Sequence, residues 1–252
     1  MNRDEIHLGG TARTPEDVES LHEIGLDFAE IPITDPGLFS LVKDAYRKLR
    51  DELGVYYLCH GPREGDPNDT ESLEKTYFPK LTRIIPLMLE LEMKLLTLHL
   101  WVDPRFVRQE AISFKIDLLK EFMGIAVDSG IVVCIENLSE NVMHMAGLFE
   151  MVANLNLTLD LGHAQLLSEV NTSHGFMEQY PERIRHIHLH DNLGGNSPAD
   201  DLHLPVGQGA IDFNRIFKGL NKIGYKGTVT LELDSPQIKG CLGLVKELLF
   251  HG

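Results

Sequence analysis

The chain has 252 residues, of which 43% are hydrophobic and 24% charged, a globular composition that excludes a disordered, collagenous or disulfide-scaffold polypeptide. Acids outnumber Lys and Arg 38 to 23, for a formal net charge of −15. On bulk electrostatics this disfavours a nucleic-acid coat or an anionic-membrane binder, although a local basic patch can persist inside an acidic protein.

The amino terminus, MNRDEIHLGG, carries Arg3, Asp4 and Glu5 where a signal peptide needs an apolar run. From there, short β-rich runs alternate with segments of helical spacing. The runs are EIHLGG, DFAEIPI, VYYLCHG, LLTLHL, IVVCIENL, NLTLDLGH, IRHIHLHD and TVTLELD, eight predicted strands. After the first comes TPEDVESLHEIG, where Thr14 can cap, Pro15 suits the first helical position, Glu16 and Asp17 favour the positive end, and Gly25 can stop the helix. GLFSLVKDAYRKLRDELG follows the second strand, with Leu38, Leu41, Val42, Ala45 and Leu49 expected on one buried face. A further amphipathic helix is predicted from Phe106 to Val127. The longest apolar stretch, IIPLMLELEMKLLTLHLW, is broken by Glu90, Glu92 and Lys94, so no transmembrane helix is expected. Cys59, Cys134 and Cys241 are odd in number and widely spaced, which suits neither a disulfide framework nor a zinc ribbon and points to a reduced, cytoplasmic setting.

No linker or composition break interrupts the alternation, so residues 1–252 are read as one α/β domain, a single (β/α)8 TIM barrel. The competing doubly wound sheet normally shows a glycine fingerprint after the first strand, and GGTAR lacks its third glycine. Period-2 parity sends Val133, Ile135, Val229, Leu231 and Leu233 toward the helices and turns Glu136, Thr230 and Glu232 inward. The same parity points His7, Glu30, His60, His99, Asp160, His188 and His190 inward, late in their strands, at the barrel mouth where catalytic groups collect. Taken singly, His7, Glu30 and His190 read as hydrogen-bonded structural residues. Taken together, carboxylates crowded in a low-dielectric mouth repel and have to protonate unless a divalent cation is present. Mixed His and carboxylate donors suit Zn or Mn first, with Co, Fe or Mg as alternatives, over Ca.

Two further clusters extend this set. Gly162, in Asp160-Leu-Gly-His163, can allow a sharp turn that returns His163 to the mouth. Asp201-Leu-His203 has a spacing that directs both side chains to one side of an extended segment. Gly207 and Gly209 could cradle a phosphate, but the absence of a following Lys or Ser/Thr favours a tight loop with Asp212 as helix cap. Trp101 can stack on a sugar ring or fill the rim.

The ordered set His60 in LCHGP, His99 in LTLHL, Glu136 in CIENL, Asp160 and His163 in LDLGH, His188 in HIHLHD, Asp201 and His203 in DLHLPVGQG and Glu232 in LELD resembles the xylose-isomerase-like barrel superfamily over essentially the whole chain. That superfamily joins sugar isomerases and epimerases with the endonuclease IV family. On the sugar side, the resemblance implies one divalent metal held by Glu136, Asp160, His188 and Glu232. The glutamates, late in opposite strands, would act as acid and base through a cis-enediolate on a sugar or sugar phosphate, with His60, His99 and His163 contacting substrate. On the nuclease side, it implies three zinc ions, at His60/His99/Glu136, at Glu136/Asp160/His188/Glu232 and at His163/Asp201/His203, hydrolysing phosphodiesters at abasic sites. The net charge, the acids of REGDPNDTESLE and NSPADD, and Leu-Asp-Leu-Gly-His in place of that family's Asp-Thr-Cys-His favour the sugar branch. A noncatalytic binding barrel leaves the paired glutamates without a reason, and a dehydratase or lyase on the same chemistry ranks lower. Pairing through helices into a homodimer is a further expectation from the superfamily.

Overall fold

The computed structural model describes residues 6–251. The residues weighed as a signal-peptide position, Arg3, Asp4 and Glu5, lie outside them. Eight parallel strands pair in chain order: β1 (His7–Thr11), β2 (Phe28–Pro32), β3 (Tyr56–His60), β4 (Leu95–Leu98), β5 (Val132–Glu136), β6 (Asn156–Asp160), β7 (Ile184–Leu189) and β8 (Thr228–Leu231). Because β8 bonds back to β1 through registers such as Gly9 with Thr230, the sheet is a closed barrel, which excludes the open doubly wound alternative. The helices are α1 (Pro15–Ile24), α2 (Pro36–Phe39), α3 (Lys43–Leu53), α4 (Thr70–Ser72), α5 (Phe78–Glu90), α6 (Gln109–Asp128), α7 (Val142–Met151), α8 (Ser173–Gln179), α9 (Phe213–Lys222) and α10 (Ser235–His251). Among the described residues no helix is long and apolar enough to cross a membrane, and all three cysteines are buried and free.

Local chemistry sets α1 as its sequence indicates. The Thr14 hydroxyl accepts from the Asp17 N–H at 3.3 Å while the Asp17 carboxylate accepts from the Thr14 N–H at 2.9 Å, a reciprocal cap. Gly25 closes the helix with φ 84°. The next segment departs from its predicted pattern. It is not one helix: α2 ends at Phe39 and α3 starts at Lys43, so a periodicity counted from Leu38 does not carry through. Leu38, Leu41 and Val42 are consequently exposed (68%, 80% and 44%), and the core side is made by Phe39, Tyr46 and Leu49. The Tyr46 ring lies edge-on to Tyr57, whose hydroxyl donates to the Tyr46 carbonyl at 2.8 Å.

Alternation along the strands separates two interiors. Outward residues such as Ile31, Leu98, Val133, Ile135, Leu159, Ile187, Val229 and Leu231 join the helices in one buried core, as the parity argument requires for β5 and β8. The barrel lumen has a small apolar floor of Phe28, Leu58, Leu95 and Cys134, with Tyr56 packed against it. Above this floor the lumen becomes polar. Thr97 and Thr158 share a 2.8 Å hydroxyl contact and Thr230 contacts His186, all buried.

Candidate metal centre

The polar layer supports the groups above it. Glu30, from β2, is 1% exposed, and its carboxylate accepts from Nε2 of His186 (3.1 Å) and of His188 (3.1 and 3.2 Å). His186 is held from the other side, its Nδ1 lying 2.6 Å from the Thr228 hydroxyl. With Nε2 of His188 engaged by Glu30, Nδ1 faces the mouth, 3.2 Å from Glu136 Oε1, 3.4 Å from Glu232 Oε1 and 3.7 Å from Asp160 Oδ2. A carboxylate behind a histidine in this way selects the tautomer and aims the free nitrogen.

All nine residues of the sequence set converge. Glu136, Asp160, His188 and Glu232 place one donor atom each within 4.8 Å of one another. His60 and His99 join Glu136 in a second group, with Nε2 to Oε2 separations of 3.4 and 2.6 Å. His163, His190, Asp201 and His203 form a third, in which the Asp201 carboxylate lies 3.3 Å from His163 and 3.2 Å from His203. Glu136 belongs to two groups, and His163 Nδ1 bridges toward it at 3.1 Å.

Several expectations need correction. His7 is the first residue of β1, exposed at the amino end of the barrel against Tyr56 (5.8 Å between rings), and is absent from the mouth. β5 and β8 are separated by two strands around the barrel, so Glu136 and Glu232 are not diametrically placed. Gly162 has ordinary helical dihedrals (φ −74°, ψ −49°), and glycine is required there because a Cβ would stand 2.0 Å from the His190 ring. Asp201 and His203 meet through a left-handed backbone at His203 (φ 45°) in place of an extended strand. A non-glycine residue there stores roughly 1–3 kcal/mol of strain, and the His203 Nδ1 contact to the Glu232 carbonyl at 3.2 Å holds it. Gly207 and Gly209 wrap the buried Asp191 carboxylate, which accepts from their N–H groups at 2.9 and 2.8 Å, so that loop is occupied by a side chain. Asp212 caps α9 by accepting from the Arg215 N–H, as the tight-loop reading expects.

Parity places Glu30 and His190 inward, though each reads singly as a structural residue, and the sequence does not single out His186. His190 is fully buried, stacks on His203 at 3.9 Å and reaches Asp160 at 3.2 Å. His186 was visible as the first inward step of HIHLH, two residues before His188, and Glu30 as the inward residue of β2. Their common signal was parity, which does not show that they meet.

Electrostatics explain how so many acids coexist. Burial raises the Glu136 carboxyl, but the imidazoles of His99 and His188 outweigh it and hold the group well below the ordinary carboxylate range. Asp160 is likewise lowered by His163 and His190 against its burial. Reciprocally, burial disfavours the His188 and His163 cations, yet Glu232 and Glu30 push His188 well up and Asp160 pushes His163 well up. His203 is pushed up to about 9, chiefly by the Asp201 hydrogen bond acting against burial. In the metal-free chain the balance is therefore struck by protons on imidazole, whereas from sequence a divalent cation is expected to relieve the same repulsion. Such protons are what a divalent cation displaces.

The mouth opens into a cavity of about 740 Å³ whose walls include His60, His99, Glu136, His163, His203 and Glu232. A largely apolar cleft of about 530 Å³ adjoins it at Arg63, His99 and His163 and is lined by Trp101, Phe106, Leu166 and Leu167. Trp101 stacks on Phe106 at 4.9 Å and donates from Nε1 to Ser139 Oγ at 2.7 Å, which makes it a rim residue. Its backbone is pinned by a buried strut: Glu64 accepts from the Trp101 N–H at 2.7 Å, and Lys115 of α6, 0% exposed, bonds the Trp101 carbonyl at 2.6 Å and Glu64 at 2.8 Å.

The donor set fits a divalent metal. Glu136 Oε1 and the Nδ1 atoms of His188 and His190 are buried without a hydrogen-bond partner, and unsatisfied buried groups in a mixed His/carboxylate cluster are the usual mark of a ligand shell. The molecule is thus a closed parallel β/α barrel with a His/carboxylate centre at the carboxyl ends of its strands. The profile of the family described as xylose isomerase-like TIM barrel matches residues 18–248, and the chain belongs to that family. An uncharacterized protein of Methanocaldococcus jannaschii is 26% identical over 223 residues, 84% of this chain and 85% of its own length. Among solved structures, a D-tagatose 3-epimerase-like protein superposes with a TM-score of 0.82 at 23% identity, covering 96% of this chain and 97% of that one. A D-allulose 3-epimerase from Methylomonas sp. superposes with a TM-score of 0.78 at 17% identity over 97% of this chain and 98% of that one.

Proposed function

We propose that the protein is a divalent-metal-dependent sugar isomerase or epimerase. The observation that carries this reading is the placement of two glutamates, Glu136 and Glu232, in one group with Asp160 and His188 at the floor of an open cavity. These four residues would hold the ion. Bound there, it supplies Lewis-acid charge to the carbonyl and hydroxyl oxygens of a ketose. The chain supplies the proton transfers. One glutamate takes the proton beside the carbonyl, and the other, in its protonated form, delivers its own proton to the opposite face or to the neighbouring carbon, so that the first ends protonated and the second ionised. His60, His99, His163 and His203 line the cavity within reach of substrate hydroxyls. The family and the sugar epimerases of similar fold support the same class, and cytoplasmic residence remains part of this proposal.

The test is a ketose panel assayed with the metal-loaded chain. Glu232→Gln should abolish turnover with metal and fold retained, and an active variant removes that glutamate from the mechanism. A second reading, an endonuclease IV-like phosphodiesterase, is favoured by one observation: the flanking groups His60/His99/Glu136 and His163/Asp201/His203 also form. Elemental mass spectrometry separates the two. Near three zinc ions per chain, with nicking of abasic duplex DNA, selects the nuclease; near one ion with ketose turnover selects the sugar enzyme.

A further inference from the structure

The cavity wall is chemically divided. The nine-residue set comes from β3 to β8 and the loops that follow them; β1 contributes no member of any candidate metal group and β2 only Glu30, grouped with His186 and His188. The wall on the β1–β3 side instead carries Arg13 after β1, Arg63 after β3 and Lys80 in the first turn of α5, together with the hydroxyls of Thr11 and Thr34. Arg13 and Arg63 are exposed, and neither has a carboxylate within ion-pair distance among the described residues; Lys80 feels Asp35 only through space. Apart from Glu30, Glu136 and Glu232, the one carboxylate lining this cavity among the described residues is Asp234, which is engaged with the N–H of Gln237. Three cations thus line one cavity in a chain of net charge −15.

We infer that Arg13, Arg63 and Lys80 bind the phosphate of a phosphorylated sugar whose carbonyl end lies at the Glu136/Glu232 group. This deepens the sugar-enzyme reading and rests on it. Guanidinium groups match phosphate oxygens in paired hydrogen bonds, and lysine adds a point charge. A volume of about 740 Å³ lies within the roughly 300–1,000 Å³ of small-ligand sites. The cations are three and share this cavity, Arg63 lying where it meets the adjoining cleft, while Asp66, Asp69 and Asp200 occupy the loops after β3 and β7. That arrangement matches a single terminal anion better than the spread phosphates of a duplex.

The experiment is calorimetric titration of the metal-loaded full chain with D-ribose 5-phosphate and with D-ribose, repeated on the R13Q/R63Q/K80Q variant. The phosphate ester should bind the wild type at least tenfold more tightly than the free sugar. The triple variant should lose that preference while keeping wild-type metal content and melting temperature, since losing a hydrogen bond to a charged group costs roughly tenfold or more. No preference in the wild type, or a preference that survives in the variant because the ester sits on the metal, overturns the inference. Turnover is read separately: a ketose 5-phosphate and 6-phosphate panel that yields no product while the cation-dependent preference persists refutes the epimerase reading and leaves the phosphate wall standing.

Discussion

Replacing Glu30 by Gln tests whether the metal centre depends on the layer beneath it. Glu30 lies beneath the four-residue metal group, and its carboxylate engages Nε2 of both His186 and His188 at 3.1 Å, its second oxygen reaching His188 at 3.2 Å. His188 is fully buried, and its opposite nitrogen faces Glu136, Glu232 and Asp160. Glutamine keeps the shape and one acceptor but removes the charge. A hydrogen bond to a charged group is worth roughly 1.5–3 kcal/mol against about 0.5–1.5 kcal/mol for a neutral one. The difference, about 1–1.5 kcal/mol, is close to tenfold in affinity, within the roughly 10–100-fold range of outer-sphere substitutions at metal sites. The amide also lets its NH2 group face an imidazole N–H, so the upper half of that range is expected. Competition against a chromogenic chelator at fixed pH, with melting temperature followed in parallel, reads the effect. A Glu30→Gln protein that folds normally and holds metal as tightly as the wild type refutes the argument that this carboxylate orients His188.

Lys115→Met strands the buried Glu64 carboxylate, and breaking a buried pair from one side costs about 3–5 kcal/mol, or a melting-temperature drop of roughly 6–10 °C for a chain this long. Adding Glu64→Gln should recover most of that loss, and a double variant no more stable than the single one contradicts the charge argument. Burial already raises the Glu64 carboxyl despite Lys115. In Lys115→Met its penalty should therefore be largest at neutral pH and shrink as acid protonates it. For the metal-free chain, the His203 cation, raised to about 9, contributes stability that is complete below the unfolded value near 6.5 and disappears as pH rises through 9. The chelated wild type should thus lose melting temperature between these limits more steeply than His203→Asn, and parallel profiles dismiss the pairing with Asp201. Metal affinity should run the other way, rising with pH as protons stop competing for the imidazoles; an affinity flat from pH 6 to 8 contradicts the ligand assignments.

The sequence carried the fold because hydrophobic period is a local property. Val133 and Ile135 alternate with Cys134 and Glu136 whatever they pack against, and eight such runs separated by helices admit few architectures. Caps are local too, which is why Thr14, Asp17 and Gly25 behave as their spacing implies. The inward placement of His60, His99, Glu136, Asp160, His188 and Glu232 was legible for the same reason, whereas grouping them with His163, Asp201 and His203 as one ligand set came from the resemblance to the superfamily.

What tertiary structure alone decides is contact between distant residues and which half of an ambiguous segment is buried. Nothing in FAEIP says that Glu30 lies beneath His186 and His188, 156 and 158 residues away. Closure of the barrel brings them together, because pairing of β8 with β1 leaves only two strands between β2 and β7 around a lumen a few side chains wide. The break between α2 and α3 reverses the expected face of Leu38, Leu41 and Val42 because one uninterrupted residue count no longer describes the backbone. Gly162 is demanded by the His190 ring, and Gly209 by Asp191, at distances of 2.0 and 2.2 Å from an added Cβ. Neither constraint is present in the glycine's own neighbourhood of the chain. Local periodicity therefore specified the elements and the donor chemistry, while long-range packing determined which donors meet, which nitrogen each imidazole offers and which wall of the cavity is left to the cations.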